Sequence, residues 1–383
     1  MKGRYRIRVF CACLLAAFAV LLAGCGSSET EGSVPEIDGL SYESTTEPEY
    51  ADGFEIYRYE GGYSVIDVKG DSMYLILPEG EAAPENVPEG MTVIGQKPEN
   101  IYLAATSSMA LIDSIGGLDQ VKMTELKESG WTIESVKEAM KSGRMVYAGK
   151  YSEPDYELIL KEECDLAVES TMIYHVPQVK EMLEKLGIPV LVDRSSYESH
   201  PLGRTEWVKV YGAVTGREAE AEKFFAEQKE KIKDLEDKET SSEGSLKVAF
   251  FYVTSSGKVV VRSSDDYIPK MIEMAGGSYC FEGLYEESGK SSVSMTMESF
   301  FAGAVDADIM IYNTNIDHSV KSLEDLKDKS QVFSDFKAVQ EGRCYTCGSS
   351  FYQRTDRMAD MIMDLNGVFT GNEDDLKFIT KLQ

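Results

Sequence analysis

The feature that most constrains this chain is an alternation of strand-like and helix-like segments that occurs twice with similar punctuation. In the first half, IYLAAT precedes the helical SSMALIDSIGG, and the Glu-led YELILKEEC later runs into the Asp-led strand DLAVEST. In the second half, KVVVRS precedes DYIPKMIEMAGG, and MESFFAGAV runs into DADIMIYN. Such alternation is typical of sheets covered by helices. It predicts an α/β fold of two similar three-layer lobes, over residues 90–215 and 241–383.

One long amphipathic segment lies between the two halves. In REAEAEKFFAEQKEKIKDLEDK, most positions are charged, and the apolar stripe comprises Ala221, Phe224, Phe225, Ile232 and Leu235. A helix of about 20 residues is roughly 30 Å long. We therefore predict that residues 216–240 form a stiff linking helix, with a ligand cleft between the lobes that it connects.

The stretch VDRSSYESHPLGRTEW, residues 192–207, concentrates side chains that resemble catalytic machinery, including Ser195 and His200. Catalysis by such a pair also needs a third, orienting group and an oxyanion site, and no such motif is visible. Pro201 suits the first turn of a helix. We therefore predict that these polar residues cap and orient a helix beside the cleft, and that the protein is not an enzyme.

The N-terminus has the pattern of an export signal. Four basic residues precede the apolar run 9–23, which is short for a membrane span of roughly 20 residues. The run ends in LAGC, residues 22–25, which resembles the bacterial lipobox. We predict a lipoprotein signal peptide over residues 1–24, a lipid anchor at Cys25, and a location on the extracytoplasmic face of the cell membrane.

Two further segments separate Cys25 from the first lobe. Residues 25–50 are rich in Ser, Thr, Glu and Gly, so we predict a disordered tether that cannot bury enough apolar surface to fold. Residues 51–89 contain the alternating runs YSVIDVK and MYLILP on either side of Gly-Asp-Ser, which is turn chemistry. We predict a small β-hairpin addition there.

Charge and cysteine usage exclude several classes of function. The formal charge of −27 becomes −31 without residues 1–24, which argues against nucleic-acid binding. Cys344 and Cys347 form a CxxC pair, but GRCYTCGSS resembles a strand, on which residues three apart point to opposite faces. We expect no redox site there, and the sequence leaves open whether the two form a disulfide.

The order of lipobox, acidic tether, matched lobes and linking helix resembles the substrate-binding proteins of ABC importers for iron-siderophores, haem and cobalamin. Over residues 90–370 the similar segments are ENIYLAATSSMALIDSIGGLDQV, GKYSEPDYELILKEECDLAVEST, HPLGRTEW, GGSYCFEG and FKAVQEGRCYTCGSSFYQRTDRMADMIMDL. The resemblance implies a receptor that captures a metal chelate, an iron-siderophore before haem or a corrinoid. It would deliver the chelate to a permease powered by an ATPase.

The resemblance also implies a role for two carboxylates. In such proteins a Glu near the start of a helix on each lobe pairs with Arg residues of the permease, and the matching positions here are Glu157 and Glu298. A carboxylate is favoured at a helix N-terminus and suits bidentate Arg. The alternative is that both are ordinary first-turn residues that stabilise their helices by about 0.3–1 kcal/mol.

The ligand is expected between the lobes, because such sheets place their binding loops at the carboxyl ends of strands. The candidate contacts are Ser107, Ser108, Met109, Tyr151, Ser152, Thr171, Met172, Arg194, Arg262, Tyr267, Asn313, Phe351, Tyr352 and Gln353. Their aromatic, hydroxyl-rich character suits a bulky, partly apolar chelate better than a bare anion. His175 could coordinate haem iron or cobalt, but a helix-end His without metal is favoured, and no resident metal or cofactor is predicted.

Two alternatives from other classes remain at this point. A surface enzyme would use the cleft through Ser195, His200 or Cys347. An adhesion or scaffolding protein would bind a macromolecule and would show no ligand-dependent rise in melting temperature.

Overall fold

The computed structural model describes residues 34–236, 245–285 and 291–383. The predicted signal peptide over 1–24 and the predicted anchor Cys25 lie outside these ranges. Within them, no helix combines the length and apolar character that a membrane span requires.

An N-terminal sheet of five strands precedes the first lobe, and it is larger than the predicted hairpin over 51–89. Its strands are β1 (Tyr42–Thr46), β2 (Phe54–Tyr59), β3 (Ser64–Val68), β4 (Met73–Leu77) and β5 (Thr92–Gly95). They follow one another in order, antiparallel except for the parallel pair β4–β5. β3 and β4 form the predicted hairpin, but β1 lies in the predicted tether. Its polar sequence YESTT lacks the apolar alternation of a strand, but backbone hydrogen bonds pair it with β2 as an edge strand.

The N-terminal lobe contains a parallel sheet in the order β12-β11-β6-β7-β8. β7 and β8 lie on one side of β6, whereas β11 and β12 lie on its other side, so the strand order reverses between β6 and β11. Sheets of this kind place ligands at such a switch point. The elements are β6 (Ile101–Leu103), α1 (Thr106–Ser114), β7 (Val121–Thr124), α2 (Glu134–Lys141), β8 (Val146–Tyr147), β9 (Gly149–Lys150), β10 (Glu153–Pro154), α3 (Tyr156–Lys161), β11 (Leu166–Ser170), α4 (Pro177–Lys185), β12 (Val190–Asp193), α5 (Pro201–Glu206) and α6 (Val208–Thr215).

The linking helix α7 (Glu218–Glu236) follows, and the C-terminal lobe comes after it with a mixed sheet of seven strands. The elements of this lobe are β13 (Leu246–Val253), β14 (Val259–Arg262), α8 (Tyr267–Met274), β15 (Gly277–Tyr279), β16 (Ser292–Met295), α9 (Met297–Ala304), β17 (Ile309–Tyr312), α10 (Leu323–Lys329), α11 (Lys337–Gln340), β18 (Cys344–Cys347), α12 (Met358–Thr370) and β19 (Ile379–Lys381).

The two lobes are related in build without being duplicates. The helices α1 and α8 are both followed by a glycine with positive φ, Gly116 at 75° and Gly276 at 92°. The Gly-Gly pairs noted in the sequence therefore mark the ends of helices. The preceding strands differ, however. β6 is a central parallel strand, whereas β14, the KVVVRS segment, runs antiparallel to β13. The similarity of the lobes is therefore partial.

The helix α7 is amphipathic, as predicted. Ala221, Phe225, Gln228 and Ile232 are buried along one face. This helix packs against α6 of the N-terminal lobe and α12 of the C-terminal lobe, where Lys231 Nζ lies 3.1 Å from Asp360 Oδ2. The helix therefore joins the lobes by packing as well as by chain connection. The last residues of the predicted range, 237–240, lie outside the described residues.

Two apolar cores stabilise the fold. The larger one continues from the N-terminal sheet through the α1 and α6 side of the N-terminal lobe, past α7, into the C-terminal lobe. The smaller one fills the opposite face of the N-terminal lobe sheet, beneath α3 and α4. The lobes thus share apolar packing near α7, while polar groups meet at the carboxyl ends of their strands.

Candidate ligand-binding site

The segment 192–207 is structural, as predicted. Ser195 is buried, and its Oγ donates a hydrogen bond to Asp193 Oδ1 at 2.6 Å. His200 Nδ1 accepts the backbone N–H of Leu202 at 3.2 Å and so caps α5. Because the hydroxyl and the imidazole bond to different groups, they do not form a nucleophile and base pair.

Two buried carboxylates on this segment hold the loop between β1 and β2 of the N-terminal sheet. Glu206 accepts the backbone N–H groups of residues 49–51 at 2.9, 2.8 and 3.0 Å. Glu198 accepts those of residues 52–53 at 2.8 and 3.0 Å and the indole N–H of Trp207 at 2.7 Å. The polar residues that resembled an active site therefore serve as an attachment point for the preceding sheet.

Acidification is expected to weaken the fold through His200. Burial lowers its pKa to about 4 from an ordinary value near 6.5, and a protonated ring cannot accept the N–H of Leu202. The unfolded chain therefore binds more protons between these pH values, so this stabilisation is complete above about pH 6.5 and is lost toward pH 4. Urea unfolding of wild type and His200→Asn at pH 7 and pH 5 tests this. Asn keeps a capping oxygen and should lose less stability on acidification; equal losses would contradict the assignment.

The two lobes contact each other through direct hydrogen bonds near the carboxyl edges of their sheets. Gln353, a sequence candidate, accepts the N–H and the hydroxyl of Thr132 at its Oε1, both at 2.8 Å. Its Nε2 donates to the carbonyl of Gly130 at 2.8 Å. Thr205 Oγ1 donates to the carbonyl of Thr355 at 2.9 Å. The described structure thus has its lobes in contact along this edge.

Four other sequence candidates lie together in the C-terminal lobe, beside the carboxyl ends of β17 and β18. Arg262 ends β14, Tyr267 begins α8, Asn313 follows β17 and Tyr352 follows β18. Asn313 Nδ2 donates to the Tyr352 hydroxyl at 2.6 Å, and Arg262 forms an ion pair with Asp266. Burial raises the pKa of Tyr267 to about 12, so its hydroxyl remains a donor at neutral pH. This group offers hydroxyl and amide donors beside an arginine whose charge is already balanced.

Sequence reasoning missed Arg204, which faces this group from α5 of the N-terminal lobe. Its guanidinium carbon lies 4.2 Å from the ring centroid of Tyr267, a cation–π contact between the lobes. Its Nη1 donates to the carbonyl of Ser196 at 2.9 Å. The signal was present in HPLGRTEW, where a basic residue sits in a helix that follows the carboxyl end of a strand. The interlobe cluster comprises Arg204, Arg262, Tyr267, Asn313, Tyr352 and Thr355.

Three donors of the interlobe cluster are buried and have no hydrogen-bond partner among the described residues. They are Arg204 Nε, the Tyr267 hydroxyl and Thr355 Oγ1. These residues are 7%, 2% and 0% exposed. An unpartnered buried donor costs about 1–3 kcal/mol, and such groups are uncommon in native structures. All three lie at the boundary between the lobes, where Arg204 faces Tyr267 and the carbonyl of Thr355 accepts the Thr205 hydroxyl.

The helix α1, which carries Ser108 and Met109, packs against the segments that hold Tyr352 and Thr355 of the interlobe cluster. Ser108 and Met109 are fully buried in α1, where Ser108 Oγ donates to the carbonyl of Ala105 at 2.7 Å. Their burial argues against direct ligand contact in this conformation. Arg194 donates to the carbonyl of Gly70 at 2.9 Å, so it holds the turn between β3 and β4 of the N-terminal sheet.

The other candidates differ in how far they are exposed. Ser107, Tyr151 and Thr171 are half-buried, and Met172 is 45% exposed. Ser152 and His175 are exposed. Phe351 is buried, with its ring centroid 5.7 Å from that of Tyr352.

A polar cavity of about 750 Å³ lies elsewhere, at the amino ends of β6 and β7. Its lining includes Lys97, Asn100, Gln120, Lys122 and Arg217. It is open to solvent and lies at the edge opposite to the switch point, so its size alone does not make it the ligand site.

The two predicted docking glutamates are exposed, and each lies in the first turn of its helix. Glu157 lies in α3, which Asp155 caps by accepting the N–H of Leu158 at 3.0 Å. Glu298 lies in α9, and hydrogen bonds from its own backbone N–H and from the Thr296 hydroxyl lower the pKa of its carboxyl. Glu298 is therefore ionised at neutral pH.

The CxxC pair lies on β18, as the sequence predicted. Cys344 and Cys347 are both buried and both free, which answers the question of a disulfide. Burial raises the pKa of the Cys344 thiol to about 12. A thiol in that state is a poor nucleophile.

A family model described as periplasmic binding protein matches residues 105–351, which is more than half of the chain. The chain belongs to this family. Members are non-enzymatic, so this periplasmic binding protein is the solute-binding component of an ABC importer, and a small ligand and a permease are its partners. The surface enzyme considered from the sequence is thereby excluded.

Three similar proteins illustrate the relationship. An uncharacterized lipoprotein of Methanocaldococcus jannaschii is 25% identical over 394 residues, which cover 97% of this chain and 98% of the relative. A possible iron-binding periplasmic solute-binding protein from Staphylococcus epidermidis has a TM-score of 0.56 at 18% identity, covering 71% of this chain and 99% of its own. A periplasmic haem-binding protein from Pseudomonas aeruginosa has a TM-score of 0.59 at 15% identity, covering 75% and 98%. At these identities the two solved structures establish a common fold.

Proposed function

We propose that this protein is a lipid-anchored extracytoplasmic receptor that captures a metal chelate between its lobes and delivers it to the permease. An iron-siderophore is the first candidate ligand, and haem or a corrinoid is the alternative. The names of the similar structures, one iron-binding and one haem-binding, support this choice of ligand class. The LAGC pattern at residues 22–25 and the lipoprotein name of the archaeal relative support the anchor at Cys25.

The observation that carries the proposal is the interlobe cluster with its unpartnered donors. Arg204, Tyr267 and Thr355 present buried N–H and O–H groups that require oxygen acceptors. The rings of Tyr267, Tyr352 and Phe351 supply apolar surface beside them. A chelate whose metal-bound oxygens lie next to carbon surface offers both kinds of partner. Because Asp266 balances Arg262, Arg204 is the remaining positive charge of the cluster, which favours a ligand with a small negative charge.

Replacing Arg204 or Tyr267 is expected to weaken ligand binding. The soluble form that begins after Cys25 suits this test, because residues 37–383 form a compact unit. A thermal-shift screen against ferric siderophores, haem and corrinoids would identify the ligand by its stabilising effect. Arg204→Gln and Tyr267→Phe should then lower its affinity by about 10–100-fold, since a hydrogen bond to a charged group contributes roughly 1.5–3 kcal/mol. Titration calorimetry measures the change.

Arg194→Gln is the matched control, because Arg194 also follows a strand of the N-terminal lobe but donates to Gly70 of the N-terminal sheet. Its affinity should equal that of wild type. A screen in which no chelate raises the melting temperature would contradict the ligand class. Unchanged affinity in both cluster variants would contradict the site.

The proposed docking surface consists of the exposed Glu157 and Glu298, one on each lobe. Both lie in first helical turns, where the helix dipole favours a negative charge and the carboxylate can accept a bidentate Arg. Neither belongs to the interlobe cluster. Binding of the ligand and binding of the permease therefore depend on different residues, which makes the two roles separable by mutation.

A further inference from the structure

Two glutamates flank an alanine on one face of the N-terminal lobe sheet. The last paired residues of β11, β6 and β7 are followed by Glu169, Ala104 and Glu125, and the backbone ladder continues through the N–H groups of Ala104 and Glu125. Residues in register on parallel strands project from the same face. Strands are about 4.8 Å apart, so the two glutamate Cα atoms are separated by about 10 Å, with only a methyl group between them.

Glu169 is an unusual buried group. It is 0% exposed, and neither of its carboxyl oxygens has a hydrogen-bond partner among the described residues. Burial, and then the charge of Glu125, raise its pKa to about 9. Buried carboxyl groups are nearly always bonded to a donor or a cation, because leaving them without one costs several kcal/mol. The surroundings of Glu169 therefore call for an additional positively charged or donating group.

Further oxygen atoms surround the same position. Tyr102 is buried beside both carboxylates, whose charges add to the effect of burial in raising the pKa of its hydroxyl. That hydroxyl donates to the carbonyl of Gly149 at 3.2 Å. Glu125 Oε2 accepts the backbone N–H of Tyr151 at 3.1 Å. The neighbourhood thus combines two carboxylates with a phenolic and a carbonyl oxygen, beneath the loop that carries Tyr151.

We propose that Glu169 and Glu125 bind a calcium ion at this position of the N-terminal lobe. Two carboxylates balance a divalent charge, and hydroxyl, carbonyl and water oxygens complete the shell that calcium accepts in flexible geometry. Magnesium requires near-ideal octahedral ligands and gives up its waters reluctantly, so it suits a buried site less well. The donors named here are all oxygen atoms, which suit calcium better than zinc or copper, since those metals favour imidazole and thiolate ligands.

The ion would fasten the loop of residues 149–153 to the sheet. Glu125 already accepts the N–H of Tyr151, and the positive charge of Lys150 on the same loop interacts electrostatically with Glu125. A calcium ion shared by Glu125 and Glu169 therefore connects β7, β11 and this loop at the carboxyl edge of the lobe. This effect does not depend on which ligand the receptor captures, so it can be tested without knowing the ligand.

The test uses the soluble chain that begins after Cys25, stripped of cations with a chelator. Calcium should raise its melting temperature in a saturable manner. Terbium should bind with luminescence excited through tyrosine, because Tyr102 and Tyr156 both lie close enough to interact with Glu169. Calcium should displace that signal, and magnesium and sodium should do so far less effectively.

Glu169→Gln and Glu125→Gln, each nearly isosteric, should weaken calcium binding roughly tenfold or more, because calcium affinity follows ligand charge. Glu153→Gln is the control, since Glu153 is exposed on the same loop. Its calcium response should match wild type. The proposal is overturned if wild type shows no saturable calcium response, or if the two variants keep it. A rise in melting temperature of Glu169→Gln with no calcium response in wild type would identify Glu169 as a neutral acid without an ion.

Discussion

Replacing Glu206 by alanine is expected to lower the free energy of unfolding by about 3–5 kcal/mol. The carboxylate is 0% exposed, and it accepts three backbone N–H groups from residues 49–51. Lys209 Nζ, also buried, lies 2.9 Å from Glu206 Oε1. The substitution therefore removes the acceptor of the buried N–H of Ala51 and the nearest carboxylate of the buried Lys209 amine. Urea unfolding measures the effect as a lower midpoint at an unchanged slope.

Glu222→Ala is the matched control for this prediction. Glu222 is the second carboxylate near Lys209, at 3.7 Å, but its side chain is 57% exposed. An exposed ion pair contributes about 0–1 kcal/mol, so this variant should be close to wild type. If Glu206→Ala cost no more than Glu222→Ala, the buried carboxylate would not be the attachment point of the N-terminal sheet.

Reversing both docking charges, Glu157→Lys with Glu298→Lys, is expected to abolish ligand uptake in cells that depend on this importer. Like charges placed against permease arginines cost several kcal/mol, which is enough to prevent docking. Ligand affinity should stay within about twofold of wild type, because neither residue belongs to the interlobe cluster. Uptake of labelled ligand and titration calorimetry measure the two quantities separately.

The chain offers a close control in Glu134 and Glu324. Both are exposed glutamates in first helical turns, Glu134 of α2 in the N-terminal lobe and Glu324 of α10 in the C-terminal lobe. Reversing this pair changes the net charge equally and disturbs the same kind of helix position. Uptake should persist. Loss of uptake in the control pair would mean that overall charge governs docking, and loss of affinity in the first pair would count against a separate docking surface.

The sequence predicted the fold class because periodicity and helix punctuation report local structure. The stripe containing Ala221, Phe225 and Ile232 became the buried face of α7. Glycines that end helices, such as Gly116, adopt the left-handed conformation that the pattern implied. Strand pairing is less local. The polar β1 gave no apolar alternation, and the antiparallel direction of β14 depends on contacts distant in sequence.

The candidate site was predicted only on the side where residues directly follow strands. Arg262, Tyr267, Asn313 and Tyr352 were found because they end or follow strands of one sheet. Arg204 was missed because its place depends on how α5 packs across the lobe boundary, which no local pattern encodes. Ser108 and Met109 followed a strand equally well, but their helix turned them into the core.

Gln353 has a consequence for how the receptor handles its cargo. Its single amide closes three hydrogen bonds with Thr132 and Gly130 across the lobes. Each such bond contributes about 0.5–1.5 kcal/mol. If the lobes must separate to admit a ligand, the free energy of the broken bonds is subtracted from the free energy of ligand binding. The vacated protein regains it when the halves rejoin. These bonds therefore lower the affinity for the ligand and favour its release, which suits a receptor that must pass its ligand to a permease.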